Sequence, residues 1–157
     1  MRKYFSFFLI LSFFTHKSLS DSLTYNTFNN HGVVGLINMP TARFYKESIY
    51  GATLYNGDPD QKITLTSYPF DWMEASFFYM NIEDEQLCRT NIQGDRFCQG
   101  YKDKGFNFKI RLKKEGILPA IAIGINDIAG NGFYSSEYIV GSYGINNLDL
   151  HFGLSWG

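Results

Sequence analysis

Phe106-Asn107-Phe108-Lys109-Ile110-Arg111-Leu112-Lys113 alternates without a break. Phe106, Phe108, Ile110 and Leu112 point one way, and Asn107, Lys109, Arg111 and Lys113 point the other. A period of two is the mark of an extended strand with one apolar face. The same pattern continues outward. Ile121, Ile123 and Ile125 oppose Ala120, Ala122, Gly124 and Asn126. Further on, Leu148, Leu150, Phe152, Leu154 and Trp156 oppose Asp149, His151, Gly153 and Ser155. Seven strands are expected, at 48–55, 62–68, 72–82, 105–113, 120–126, 134–143 and 148–156. Ahead of them, residues 21–47 read as an irregular N-terminal segment, with Asn29-Asn30-His31-Gly32 and Met39-Pro40-Thr41 as turn signals. Pro40, Pro59, Pro69 and Pro119 are expected in turns or at strand starts, where a missing N–H costs no ladder bond. The fold class is all-β and antiparallel.

Composition supports that class. The chain has 157 residues, enough for one domain, with 18% aromatic and 18% charged residues, 15 Gly, 15 Phe and 11 Tyr. So much bulky apolar material excludes intrinsic disorder. A formal charge of -1 excludes the basic balance of a nucleic-acid binder.

The first twenty residues read as a cleavable signal peptide. Arg2 and Lys3 precede an eleven-residue apolar run, Tyr4 to Phe14, too short to span a bilayer as a helix. Ser18 and Ser20 suit a cut before Asp21. A short membrane anchor is the alternative. No cysteine follows the apolar run, which argues against a lipid-modified N-terminus. Removing Arg2, Lys3 and Lys17 leaves 11 basic residues against 15 acidic, a mature charge of -4. Cys88 and Cys98, the two cysteines of the chain, read as one disulfide formed after export, with free thiols as the alternative. A loop this short contributes about 3 kcal/mol or less.

Alternation alone fits both a soluble sandwich and an outer-membrane barrel, since each has one apolar face. Loop lengths favour the barrel. Pro69 to Asp71, Lys114 to Leu118 and Gly144 to Asn147 are short. Asn56 to Gln61, Glu83 to Lys104 and Asp127 to Phe133 fall at the other end of the strands and are longer. Barrels pair tight periplasmic turns with long outer loops. Seven strands, however, leave two open edges, which hydrocarbon does not tolerate. The expectation is that the chain is the N-terminal portion, or gene fragment, of a longer protein, with 48–157 a portion of its barrel; a complete small protein that closes by oligomerising is the alternative.

Ordered blocks of the sequence resemble the YjbH-like exopolysaccharide biosynthesis proteins. The first is Gly35-Leu36-Ile37-Asn38-Met39-Pro40-Thr41-Ala42-Arg43, and the second Tyr101-Lys102-Asp103-Lys104-Gly105-Phe106-Asn107-Phe108-Lys109-Ile110-Arg111-Leu112. Leu118-Pro119-Ala120-Ile121-Ala122, Asn126-Asp127-Ile128-Ala129-Gly130-Asn131-Gly132 and Ser136-Glu137-Tyr138-Ile139-Val140 follow in order, as does Leu148-Asp149 through Gly153-Leu154-Ser155-Trp156-Gly157. The resemblance implies a β-barrel-rich protein of the Gram-negative outer membrane, tied to making or exporting extracellular polysaccharide. It also implies family members several hundred residues long, with no catalytic residues to transfer. Asn131 stands where the family pattern has Thr, and Gly141-Ser142-Tyr143 replaces a segment that ends in Lys.

Candidate chemistry is sparse. His31 and His151 are far apart with no ligand spacing around them, so no metal or other cofactor is expected. No G-x-S-x-G is present. Gly130-Asn131-Gly132 reads as a tight loop requiring positive φ. Asp127 and Glu137 are the one candidate pair of glycosidase carboxylates. On a barrel strand, Lys109, Arg111 and Lys113 would line the lumen and suit an anionic glycan, with His151 on another inward face. Glu74 and Asp149 offer the opposite reading, neutralising that row in salt bridges. Tyr50, Tyr55, Tyr68, Trp72, Tyr79, Tyr134 and Trp156 suit an interfacial belt or sugar stacking. The leading function is a non-enzymatic outer-membrane component of polysaccharide biosynthesis or export. Its expected partners are outer-membrane lipid, an exopolysaccharide and other export proteins. The alternatives are a soluble periplasmic or secreted glycan-binding β-domain and a carbohydrate-active enzyme.

Overall fold

Alternation of bulky apolar and polar residues builds strands here, and their order is the simplest one a chain can adopt. The computed structural model describes residues 26–58 and 60–157. The expected signal peptide 1–20, its cleavage before Asp21, and Pro59 lie outside the described residues. A two-stranded ribbon, β1 (Gly35–Leu36) and β2 (Met39–Pro40), precedes a seven-stranded antiparallel meander. The meander consists of β3 (Ile49–Asn56), β4 (Asp60–Phe70), β5 (Met73–Thr90), β6 (Arg96–Lys113), β7 (Ala120–Ile128), β8 (Ser136–Ile145) and β9 (Leu148–Trp156). Each strand pairs with its sequence neighbours, and β3 and β9 are the edges. The expected all-β class and the seven strands are present, and the described residues contain no helix. The sheet is open among the described residues, not closed into a barrel.

Three boundaries differ from expectation. The polar stretch 83–104 is not one long loop. Instead β5 and β6 continue as a hairpin through Gln86↔Gly100, Cys88↔Cys98 and Thr90↔Arg96, leaving only residues 91–95 as the turn. A hairpin that projects beyond the sheet is solvated on both faces, so it has no apolar side to betray it. The parity of loop lengths weakens accordingly: 114–119 joins β6 to β7 and is no tighter than 91–95. Residues 26–47 are not wholly irregular, because they hold the β1–β2 ribbon and a Phe28↔Val34 bridge. Finally, Pro69 lies within β4, at the register shift between Ser67 and Phe70, and Pro40 lies within β2. Neither position interrupts a regular ladder.

The sheet curls strongly. Tyr134, in the β7–β8 connection, donates to Asp60 at the start of β4 over 2.7 Å. In a flat sheet, β4 and β8 stand about 19 Å apart at roughly 4.8 Å per strand. Segment 26–47 lies across the concave face and touches most of the strands. Phe28 sits over Gly51 of β3, where any Cβ would meet its ring. Thr66 of β4 donates to the Gly32 carbonyl. Ala42 donates its N–H to Ser142 of β8 at 2.9 Å. The core is the layer between segment and sheet, where Val34, Ala42 and Phe44 pack with Tyr68, Ala120, Ala122, Tyr138 and Val140.

The two faces are inverted relative to a soluble protein. On β4 the buried positions are Lys62, Thr64, Thr66 and Tyr68, while Ile63 and Leu65 are exposed. On β6, Asp103, Asn107 and Lys109 are buried, and Phe106, Ile110 and Leu112 are exposed. The convex face continues with Phe77, Ile123, Ile139, Leu150, Phe152 and Leu154. No helix among the described residues is long and apolar enough to cross a membrane, which leaves crossing by strands untouched.

Candidate functional site

The concave face carries its charges in pairs. Lys109 of β6 and Glu74 of β5 are cross-strand neighbours, 1% and 0% exposed, with Nζ 3.2 Å from Oε1. Both are engaged by the segment above them. Lys109 Nζ donates to the carbonyls of Val34 and Arg43, both at 3.1 Å, and lies 4.6 Å from the centre of the Phe44 ring. Glu74 Oε2 accepts from the Tyr68 hydroxyl at 2.6 Å and from the Val34 N–H at 3.2 Å. An ion pair buried this deeply adds little net stability, because desolvation offsets attraction. What it does is specify where the segment lies.

Arg43, the last residue of the first family-like block, makes the second lock. It donates from Nε and Nη2 to both oxygens of Asp149 on β9, at 3.1 and 2.6 Å, and from Nη1 to Glu115 in the β6–β7 connection. Burial opposes its charge, but the hydrogen bonds to Asp149 and Glu115 outweigh that and hold its pKa above the ordinary value. Arg111 also lies over the Phe44 ring, 4.4 Å from its centre, and 3.9 Å from Asp71. Asp71, in the β4–β5 turn, is held below its usual pKa chiefly by its hydrogen bond to Lys114. His151 completes the group: Ser142 Oγ, which accepts from Ala42, is 2.8 Å from His151 Nδ1. That arrangement suits a neutral ring accepting at Nδ1, its Nε2 3.5 Å from Asp149.

The expected lumen row is therefore not free to meet an anionic glycan. Lys109 is covered by the segment and paired with Glu74, Arg111 is engaged by Asp71 and Phe44, and Lys113 alone stands exposed at the rim. Glu74 pairs with Lys109 of that row. Asp149 is instead neutralised by Arg43, which lies 106 residues away in sequence. Nothing in the local pattern of either residue announces the other. A usable signal was the small polar Ser142 on the inward face of β8, where the segment's Ala42 N–H meets it.

A second polar group lies toward the hairpin end. Lys62 Nζ is 3.0 Å from His31 Nδ1 and near the rings of Phe78 and Tyr134. Burial, and then the Lys62 charge, push His31 down to about 4, against a smaller pull from Asp60. Burial and the hydrogen bond to Asp60 push Tyr134 up to about 12. Asp103 accepts the N–H of Asn131 at 3.0 Å, and Asn107 accepts that of Asp127 at 3.1 Å.

The remaining sequence candidates find plainer roles. Gly35 is required where β1 turns into β2, since a Cβ there would meet the Met39 carbonyl at 2.2 Å. Pro40 and Thr41 follow it, with the Thr41 N–H donating to Val34. Of the glycine pair, Gly132 takes positive φ, but Gly130 does not. Gly130 instead makes room for the Asp127 carboxylate, and the other left-handed residues of this loop are Asp127 and Ala129. Asp127 is buried on the concave side. Glu137 shares the convex side with its cross-strand neighbours Ile125 and Trp156. Those two carboxylates lie on opposite faces and do not form a pair. Tyr138 is core. Tyr68, expected in an interfacial belt, is fully buried against Glu74, whereas Tyr50, Trp72, Tyr79 and Trp156 are exposed. Cys88 and Cys98 are disulfide-bonded across the hairpin, with Cα atoms 4.1 Å apart. Among the described residues, no group of His, Cys, Asp and Glu is arranged to hold a metal ion.

No solved structure matches the chain. The uncharacterized lipoprotein YjbH of Escherichia coli (strain K12) is 34% identical over 131 residues, covering 82% of this chain. The match spans 18% of that relative's length. The YjbH family, described as exopolysaccharide biosynthesis protein YbjH, matches residues 27–157, from the segment on the concave face through the last strand. This chain belongs to the YjbH exopolysaccharide biosynthesis family.

Proposed function

We infer that the chain is a non-enzymatic, outer-membrane β-barrel component of exopolysaccharide biosynthesis or export. The observation that carries this reading is the inversion of the sheet, with charged and hydroxyl side chains packed inside and Ile, Leu and Phe outside. A soluble sheet hides its apolar face, whereas a membrane barrel turns it toward lipid. Leu148–Trp156 and Phe106–Leu112 supply apolar outward positions over most of their length, as a band of about 25 Å requires. Hydrocarbon demands that the edges β3 and β9 be paired, so the working unit has further strands, as the N-terminal part of a longer barrel would. The relative's description as a lipoprotein supports an envelope location. With segment 26–47 filling the concave side, the sheet serves as a scaffold for glycan and for other export proteins in preference to an open pore.

Heat-modifiable migration tests the reading. Full-length protein taken from outer-membrane fractions and kept in mild detergent is expected to run faster unheated than boiled. Recovery in the soluble periplasmic fraction, with one mobility at both temperatures, would replace it with a soluble glycan-binding domain.

A further inference from the structure

Beyond the register shift between Ile82 and Gln86, the β5–β6 hairpin stands clear of its neighbours, yet it is built to be rigid. A lone two-stranded hairpin is marginal in water. Here Cys88–Cys98 bridges the strands, and the Asn91 side chain accepts the Asp95 N–H at 2.8 Å to close the turn. Rigidity at this place lowers the cost of ordering whatever the hairpin presents to a partner. Arg89 and Phe97 are direct cross-strand neighbours, so their side chains leave the same face with Cβ atoms about 5 Å apart. Gln99, two residues on from Phe97, shares that face. Phe97 is 63% exposed, and Arg89 and Gln99 are exposed beside it. Unlike Arg43 and Lys109, Arg89 has no acidic partner among the described residues. Phe97 lies nine residues from Phe106, about 30 Å along the strand. It therefore stands outside the apolar band, and lipid does not account for its exposure.

We propose that this face of the hairpin binds a hexuronate residue of an acidic glycan. Phe97 stacks on the C–H face of the pyranose, Arg89 pairs with its carboxylate, and Gln99 bonds a hydroxyl. A guanidinium is a planar fork that matches a carboxylate bidentately, and an exposed aromatic ring offers an apolar platform to C–H groups. Charge favours an anion here. Between residues 86 and 100 the charged side chains are Arg89, Arg96 and Asp95. The acidic run Glu83-Asp84-Glu85 ends four positions before Arg89, about 13 Å along a strand and beyond the Debye length of about 8 Å. The proposal rests on the exopolysaccharide reading and deepens it. With the basic row on the concave face engaged, recognition of an anionic polymer falls to the projecting arm.

Calorimetric titration of the full-length protein in mild detergent tests this, with hexagalacturonate and hexamannuronate as anionic probes and maltohexaose as the neutral one. At least one anionic probe is expected to bind, more weakly as salt rises. Arg89→Gln is expected to weaken that binding at least about tenfold, and Phe97→Ala about fivefold. Both residues are exposed, so Tm is expected to stay unchanged in each variant. Arg96→Gln, on the opposite face beside the disulfide, is expected to change affinity by less than about twofold. Failure of both anionic probes in samples that keep the heat-modifiable band overturns the site and leaves the outer-membrane reading standing. Equal losses from Arg89→Gln and Arg96→Gln, or tighter binding of maltohexaose, overturn the site as well. Binding that responds as expected in samples lacking that band supports the site and overturns the barrel.

Discussion

Glu74 and Lys109 show how a single residue pair can matter more for arrangement than for total stability. Together they are nearly neutral, but either alone is a buried charge without its partner. Lys109→Met is expected to destabilise the fold by about 3–5 kcal/mol, and Glu74→Gln/Lys109→Met together by clearly less. Denaturant unfolding of the two variants checks this, and equal losses would contradict it. His31 sets a pH dependence. Its folded pKa of about 4 lies below the ordinary 6.5, so between these values the unfolded chain binds a proton that the folded chain does not. The stability contributed by neutral His31 is therefore complete above pH 6.5 and falls as pH drops toward 4, by about 3 kcal/mol in all. Unfolding midpoints across that window should fall more steeply for wild type than for His31→Gln. Both interactions join residues at least 31 positions apart; Glu74 was a candidate partner of the Lys109 row, whereas nothing in the local sequence of His31 or Lys62 indicates the other.

At the scale of elements, the β5–β6 hairpin divides in two. From Met73 to Ile82 its strands lie within the sheet, and beyond the register shift at Ile82/Gln86 they project past their neighbours. Cys88 and Cys98 join that projection. Reduction should therefore loosen a local structure and spare the sheet: the loss is expected to be about 3 kcal/mol or less. Hydrogen exchange should rise for residues 86–100 with β4, β7 and β8 unchanged, and exchange spreading into those strands would count against it. The cysteine pairing was readable from the spacing of the two cysteines of the chain. The hairpin around it was not, because a strand wet on both faces has no apolar side, and Glu83, Asp84, Glu85 and Gln86 read as loop. Phe106 to Lys113 was legible for the opposite reason, since burial on one face imposes the period of two there.

At the scale of the whole molecule, the consequence to test is the direction of the faces. Ile123 on β7 is 40% exposed on the convex side. In lipid, Ile123→Lys is expected to cost about 2–4 kcal/mol if the position lies near the bilayer midplane. Folding into vesicles should expose this as a lowered unfolding midpoint. The same change on a water-facing surface would be within about 0.5 kcal/mol of neutral. The inverted faces also explain why the interior is so polar: the segment that fills it brings its own donors and acceptors, Val34, Ala42 and Arg43, to meet Glu74, Ser142 and Asp149.

By itself the sequence determined the antiparallel strands, their side-to-side alternation, the disulfide and the family, because each is written in local spacing or in ordered blocks of residues. The tertiary structure decided which side is inside. Alternation is symmetric and states only that two faces differ. Burial of Lys62, Glu74 and Lys109 beneath segment 26–47, with Ile63, Phe77 and Ile110 left outside, breaks that symmetry. It does so through contacts between residues as far apart as Arg43 and Asp149, which only the curl of the sheet brings together.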